Sequence, residues 1–268
     1  TGQLLKRADF GGQLVNNDLW LAGVVNRIVT GATTQTERAH KIYEHIRDKI
    51  TCTSYNQLLA EESLDKVVTK NRGGVAEINL LLTAMLREAG FNANPVILST
   101  RGNAFVLEEY PVVGQFNYVI CKTVVDGKEM LLDASRPRLG FGKLHYDCYN
   151  GQARVVNEAA TLLHLSADQV IEKKQTSLFL YKEKNGKWTG YANQQYGYFA
   201  SDLLRQKLGS SGNNILLNEM VAGYGNDLKI DSLEVESLAS FDEPLTAKYI
   251  MRNEAEAEDI IYFSPVLG

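Results

Sequence analysis

Residues 71–90 read NRGGVAEINLLLTAMLREAG and run on into FNANPVILST at 91–100. The glycine pair Gly73-Gly74 opens the stretch, and Glu77 follows where a carboxylate meets the positive end of a helix dipole. Ile78, Leu81, Leu82, Met85, Leu86 and Ala89 then recur at helical spacing. Their apolar arc is too wide for a surface helix, so the pattern predicts a central, buried helix over about Val75–Ala89. Gly90 stops it. Pro95–Thr100 (PVILST) reads as a short buried strand.

Working outward, the N-terminal side is helical. Asn17–Val29 carries apolar residues at helical spacing. Thr34-Gln35-Thr36-Glu37 fits a capping box, in which a Thr and a Glu three residues on satisfy the first free amides of a helix. The helix Thr36–Ile50 that follows puts Ala39, Ile42, Tyr43 and Ile46 on one face. On the C-terminal side, Asn117–Val125 and Lys128–Ala134 flank Asp126-Gly127, a two-residue hairpin signal. With Val125 opposite Lys128, counting back puts Ile120 opposite Asp133. Tyr118 then shares a face with Asp133, diagonally about 7–8 Å away, and Asn117 points to the other face.

Past residue 160 the pattern turns mostly β. Ser177–Lys182 and Lys187–Asn193 surround Asn185-Gly186, and further strands are expected near Leu228–Leu238 and Leu245–Met251. Short helices are expected at about Tyr198–Lys207 and Asn214–Val221. The expected fold is α+β, with one domain over 1–160 and a smaller β-rich domain over 161–268, left incomplete at Gly268. The junction around Asn157–Asp168 is the expected linker.

Composition narrows the function classes. The 268 residues are 44% hydrophobic and 22% charged, with a net charge of −4. No basic field favours nucleic acid or an anionic membrane, and no run approaches the roughly 20 apolar residues of a membrane span. The chain opens Thr1-Gly2-Gln3 without a methionine or signal peptide, as expected of a processed or excised piece. Glu254–Asp259 (EAEAED) reads as a solvated loop. Cys52, Cys121 and Cys148 are too few and too scattered for a disulfide framework, and read as buried or incidental thiols. Nothing in the sequence places Cys52 or Cys148 near a helix start, and Cys121 falls on the strand face opposite Tyr118. His40 and His45 stand five apart rather than four, and His145 and His164 stand alone, so no metal or other cofactor is expected. Tyr191, Tyr196, Tyr198 and Phe199, with Trp188, read as core and hairpin packing, with a carbohydrate or peptide platform as the alternative.

Three segments together resemble the bacterial transglutaminase-like superfamily, a papain-like cysteine-enzyme fold. Its core motif runs Gly-x-Cys-x-Asp/Glu into an apolar helix ending Leu-Arg-x-x-Gly, matched by Gly73–Glu77 and Leu86–Gly90. A strand of the type Phe-Asn-His-Val-Ile is matched by Phe116-Asn117-Tyr118-Val119-Ile120, and Leu-Asp-Ala/Pro-Thr by Leu132-Asp133-Ala134-Ser135. The resemblance covers roughly residues 35–160. It is nearest to envelope proteins that set β-rich domains beside such a core, which implies a periplasmic or cell-envelope setting.

What the resemblance implies about the site is a loss. The family's cysteine sits at the start of the buried helix, where free amides and the dipole favour a thiolate; the matching residue is Val75. The family's histidine is matched by Tyr118, whose phenol is a poor base at neutral pH. Only Asp133 of the three remains, either to hold Tyr118 or simply to cap the turn after the hairpin. The expected function is a non-catalytic module that binds a peptide or an envelope protein. The alternative is a thiol protease or acyltransferase acting on peptide or isopeptide bonds through a nucleophile not evident in the sequence.

Overall fold

The capping box at Thr34 forms as the sequence dictates: its hydroxyl accepts from the Glu37 amide at 3.1 Å, and the Glu37 carboxylate accepts from the Thr34 amide at 3.2 Å. The computed structural model describes residues 1–15, 19–106, 112–211 and 228–253. They divide into two compact units, Thr1–Val170 and Ile171 onward. The expected helix at Asn214–Val221, the start of the one at Asn17, and the acidic run at Glu254–Asp259 lie outside the described residues.

The first unit begins with helices α1 (Gly2–Lys6), α2 (Gly12–Val15), α3 (Leu19–Ile28) and α4 (Gln35–Lys49). Two short parallel strands, β1 (Thr51–Cys52) and β2 (Arg72–Gly73), bracket α5 (Leu64–Lys70) and lead into α6 (Val75–Glu88). Strands β3 (Ala93–Leu98), β4 (Tyr118–Val125), β5 (Lys128–Leu132), β6 (Gly151–Val155) and β7 (Leu162–Leu165) form one antiparallel sheet in the order β5-β4-β3-β6-β7.

Every residue of α6 from Val75 to Leu86 is buried. The helix lies against β3 and β4 on one side and meets α2, α3, α4 and α5 on the other. Leu80, Leu81 and Leu82 are fully enclosed; burying each such side chain stabilises the fold by roughly 1.5–3 kcal/mol. This central position explains the wide apolar arc.

The hairpin register agrees with the counting from Asp126-Gly127. Val125 pairs with Lys128 and Cys121 with Leu132. Asp126 and Gly127 both take positive φ, 48° and 75°, as a two-residue turn of right-handed twist demands. β4 has two buried faces. Val119 and Cys121 enter the cluster shared with the helices, whereas Tyr118 and Ile120 enter a second cluster with Val75, Leu144, Cys148 and Val155.

The first unit extends ten residues beyond the expected boundary at 160. β7 is the reason: Leu162–Leu165 pairs with β6 and completes the first sheet. The second unit contains β8 (Gln175–Lys182), β9 (Trp188–Gln195), α7 (Tyr198–Ser211), β10 (Leu228–Glu236) and β11 (Thr246–Asn253), with sheet order β10-β11-β9-β8. The β8–β9 link is wider than a two-residue turn around Asn185-Gly186, because Lys182 pairs with Trp188 and leaves 183–187 as the loop. Arg205 of α7 is buried, and its Nη2 donates to the carbonyls of Ser237, Ser240 and Glu243 at 2.7–2.9 Å, fixing the β10–β11 connection.

Candidate functional site

β2 delivers the chain to α6 through Gly73 and Gly74, and the second glycine leaves room for the Gln57 and Glu77 side chains that close over it. A Cβ at position 74 would fall 1.4 Å from Gln57 Oε1 and 3.0 Å from Glu77 Oε2. Glu77 does more than face the helix dipole. Buried in the first turn, it accepts from the amides of Gly74 (3.0 Å) and Glu61 (2.7 Å) and from Gln57 Nε2 (3.0 Å), so it fastens the 57–61 segment to the head of α6. The Val75 amide in turn donates to the Ser54 carbonyl at 2.9 Å. Segment 53–57 thus runs across the start of the helix.

Val75, Tyr118 and Asp133 come together from three elements. Val75 and Tyr118 are fully buried in one side-chain cluster. Asp133, just past the end of β5, is also fully buried. The Tyr118 hydroxyl donates to Asp133 Oδ2 at 2.8 Å and lies 3.0 Å from Ser135 Oγ. The other carboxyl oxygen, Oδ1, accepts from Asn79 Nδ2 (2.9 Å), the Ser135 amide (3.0 Å) and Ser135 Oγ (2.6 Å). Asp133 therefore holds Tyr118 and also caps its own turn; the two readings of this residue describe one arrangement.

Three partners in this network escape sequence reading. Asn79 is a polar residue in the middle of an apolar helix, and that mismatch was the available signal. Its amide nitrogen reaches the Val119 carbonyl and Asp133, while its oxygen accepts from the Ala134 amide. Arg136 donates from Nε to the Tyr118 hydroxyl at 3.3 Å, and its guanidinium lies 3.9 Å from the centre of the Tyr55 ring. The Tyr55 hydroxyl donates to the Ser135 carbonyl at 3.4 Å. Tyr118 is thus covered on its outer side by an arginine and a second tyrosine.

The electrostatics keep the Tyr118 phenol protonated. Burial, and then the Asp133 charge, push the Tyr118 phenol well above its ordinary value, so it stays a donor. Burial pulls Arg136 down, but Tyr118 and Asp133 beside it outweigh that and hold its pKa up. Cys52 corrects the sequence reading. It pairs with Gly73, which places it beside the start of α6, and it packs against the cluster of Val75 and Tyr118. Its thiol is nevertheless pushed up to about 12 by burial, with Asp133 adding to the shift. Cys148 is buried inside the same cluster and raised in the same way.

Asn117 faces away from Tyr118. Its Oδ1 accepts from the Thr100 amide at 2.9 Å and its Nδ2 donates to Asn56 Oδ1 at 3.0 Å. These side chains, with Ser54, Tyr55 and Asn103, wall an open cavity of about 330 Å³. Among the expected aromatic group, Tyr196 enters the second unit's core, Tyr198 and Phe199 meet edge to face on α7, and Tyr191 is turned outward.

Among the described residues, no helix is long and apolar enough to cross a membrane. No curated protein matches the chain. A crystal structure of a "putative protease" from Parabacteroides distasonis aligns with a TM-score of 0.44 at 11% identity, covering 91% of this chain and 51% of that one, so the chain spans about half that protein's length. The profile of the transglutaminase-like superfamily matches residues 22–128, a stretch that takes in Val75 and Tyr118 and ends before Asp133. Over residues 22–128 the chain is thus similar to the transglutaminase-like superfamily.

Proposed function

We propose that the transglutaminase-like core is a pseudoenzyme, a non-catalytic module that holds an extended peptide or a protein partner in the bacterial envelope. The observation that carries this reading is the 2.8 Å hydrogen bond from Tyr118 to Asp133. Acyl transfer through a thiol needs a nucleophile at the helix start and a base to take its proton. Val75 has no ionisable atom, and Tyr118 is committed as a donor. The cavity walled by Tyr55, Asn56, Thr100 and Asn117 offers amides and hydroxyls of the kind that hold a peptide backbone. The envelope setting rests on the family resemblance.

The competing reading, a thiol protease or acyltransferase, would have to use Cys52, the half-buried thiol beside α6. A thiol held at about 12 is about one part in 10⁵ thiolate at neutral pH, which opposes that role. The native chain, given a mixture of fluorogenic peptides and a glutamine donor with an amine acceptor, is expected to bind peptide saturably and return every substrate intact. Turnover abolished by a single Cys→Ser change at 52, 121 or 148 would overturn the proposal.

A further inference from the structure

The sheet of the second unit has two unlike faces. Ala192, Tyr249 and Met251 point into its hydrophobic cluster, with Leu178 packed against them. The alternate residues build the opposite face in register across four strands. One rung is Phe179, Tyr191, Ile250 and Ser232; the next is Ser177, Asn193, Lys248 and Glu234. Phe179 is 66% exposed and Tyr191 49%. The Tyr181 ring stacks on Tyr191 with centroids 6.0 Å apart and planes 17° from parallel, and Phe179 lies 6.4 Å from Tyr181. A shallow groove of about 470 Å³ lies over these rungs.

A cross-strand aromatic pair by itself strengthens a hairpin. Here three rings share one face with a hydrogen-bonding rung beside them, and two of them, Phe179 and Tyr191, line a concavity, with Tyr181 at its margin. The charges select the ligand. Lys248 is tied to Glu236 and faces Glu234 across the strands, and Arg252 is tied to Asp231 at 2.9 Å, so positive and negative groups interleave with a slight negative excess that disfavours an anionic ligand. The complement of such a groove is a neutral molecule with flat apolar faces and many hydroxyls. An extended peptide is disfavoured by the backbone. β9 and β11 are each paired on both sides, so the centre of the groove has no free strand edge to take an added strand.

We propose that this face binds a neutral oligosaccharide, with sugar rings stacked on Phe179, Tyr181 and Tyr191 and hydroxyls bonded to Ser177, Asn193 and Glu234. The site is independent of the transglutaminase-like core and uses none of its residues. The test is calorimetric titration of the intact chain with maltohexaose, cellohexaose and chitohexaose, and with an uncharged peptide of similar length. Saturable binding of at least one saccharide is expected. Phe179→Ala combined with Tyr191→Ala should weaken it about tenfold or more, while Tyr191→Phe, which keeps the ring, should stay within about threefold. Asn193→Ala, on the neighbouring rung, should weaken binding by a smaller, several-fold factor. No heat with any of the three saccharides would overturn the proposal. So would undiminished binding by the double variant, or capture of the peptide on this face instead.

Discussion

A chain carrying Val75→Cys together with Tyr118→His is expected to react with iodoacetamide at pH 6 about 10²–10³-fold faster than the native chain. The native thiols set the baseline. Burial holds Cys52 and Cys121 at about 12 and pushes Cys148 well above its ordinary value. At pH 6 a thiol of that kind is about one part in 10⁶ thiolate. A thiol in the first turn of α6 would meet the helix dipole, an imidazole from β4 and Asp133 behind it. Such surroundings bring a cysteine pKa down to roughly 3.5–7.5. The thiolate fraction then rises by about 10⁴–10⁶, and the weaker nucleophilicity of a more acidic thiol removes about 10²–10⁴ of that gain, the larger loss going with the larger rise. Val75→Cys alone, nearly isosteric, separates the helix effect from the imidazole. The label should map to residue 75 by mass spectrometry. Labelling no faster than that of the native chain would show that positions 75 and 118 are not the places of a nucleophile and its base.

Asp133→Ala is expected to destabilise the first unit by about 3–5 kcal/mol, and Tyr118→Phe by only about 1–2 kcal/mol. The carboxyl group is enclosed and accepts from Asn79, from the Ser135 amide and hydroxyl, and from Tyr118. Its loss leaves several buried donors without an acceptor. The phenylalanine variant removes one donor and keeps the ring that fills the cluster. Urea unfolding followed by circular dichroism measures both. Because the two residues share one hydrogen bond, Tyr118→Phe should cost little when added to Asp133→Ala. A cost below about 1 kcal/mol for Asp133→Ala would mean that the carboxyl group is not what organises this region.

Sequence reading reached the parts of the fold whose signals are local. Gly73-Gly74, the apolar arc of Ile78–Leu86 and the Asp126-Gly127 turn each act within a few residues; the turn sets Tyr118 and Asp133 on one face, and the family resemblance is what brings Val75 to them. What escaped depends on distance along the chain. β6 finds β3 more than 50 residues away, and the Asn150-Gly151 dipeptide that opens it carries no sign of that partner. Cys52 reaches the head of α6 only because β1 pairs with β2 across the intervening α5. Arg136 looks like any loop arginine until the fold sets it between Tyr55 and Tyr118. The aromatic group divides between hairpin and core. Alternation along β9 turns Tyr191 outward, while Tyr196 beyond its end enters the core.

The protonated groups enclosed in the first unit make it sensitive to alkali. Tyr118, Cys121 and Cys148 all hold their protons more tightly in the folded chain than in the unfolded one, chiefly because burial penalises their anions. Below their unfolded values, about 8.5–10, both forms keep these protons and the groups are silent. As the pH climbs past that range the unfolded chain releases them and the folded chain does not. Stability then falls, by about 4 kcal/mol per pH unit where all three are released only on unfolding. Cys121 stops contributing as the pH passes its folded value of about 12. With a phenol rather than an imidazole at position 118, the sensitivity of this cluster lies in strong base and not in the neutral range.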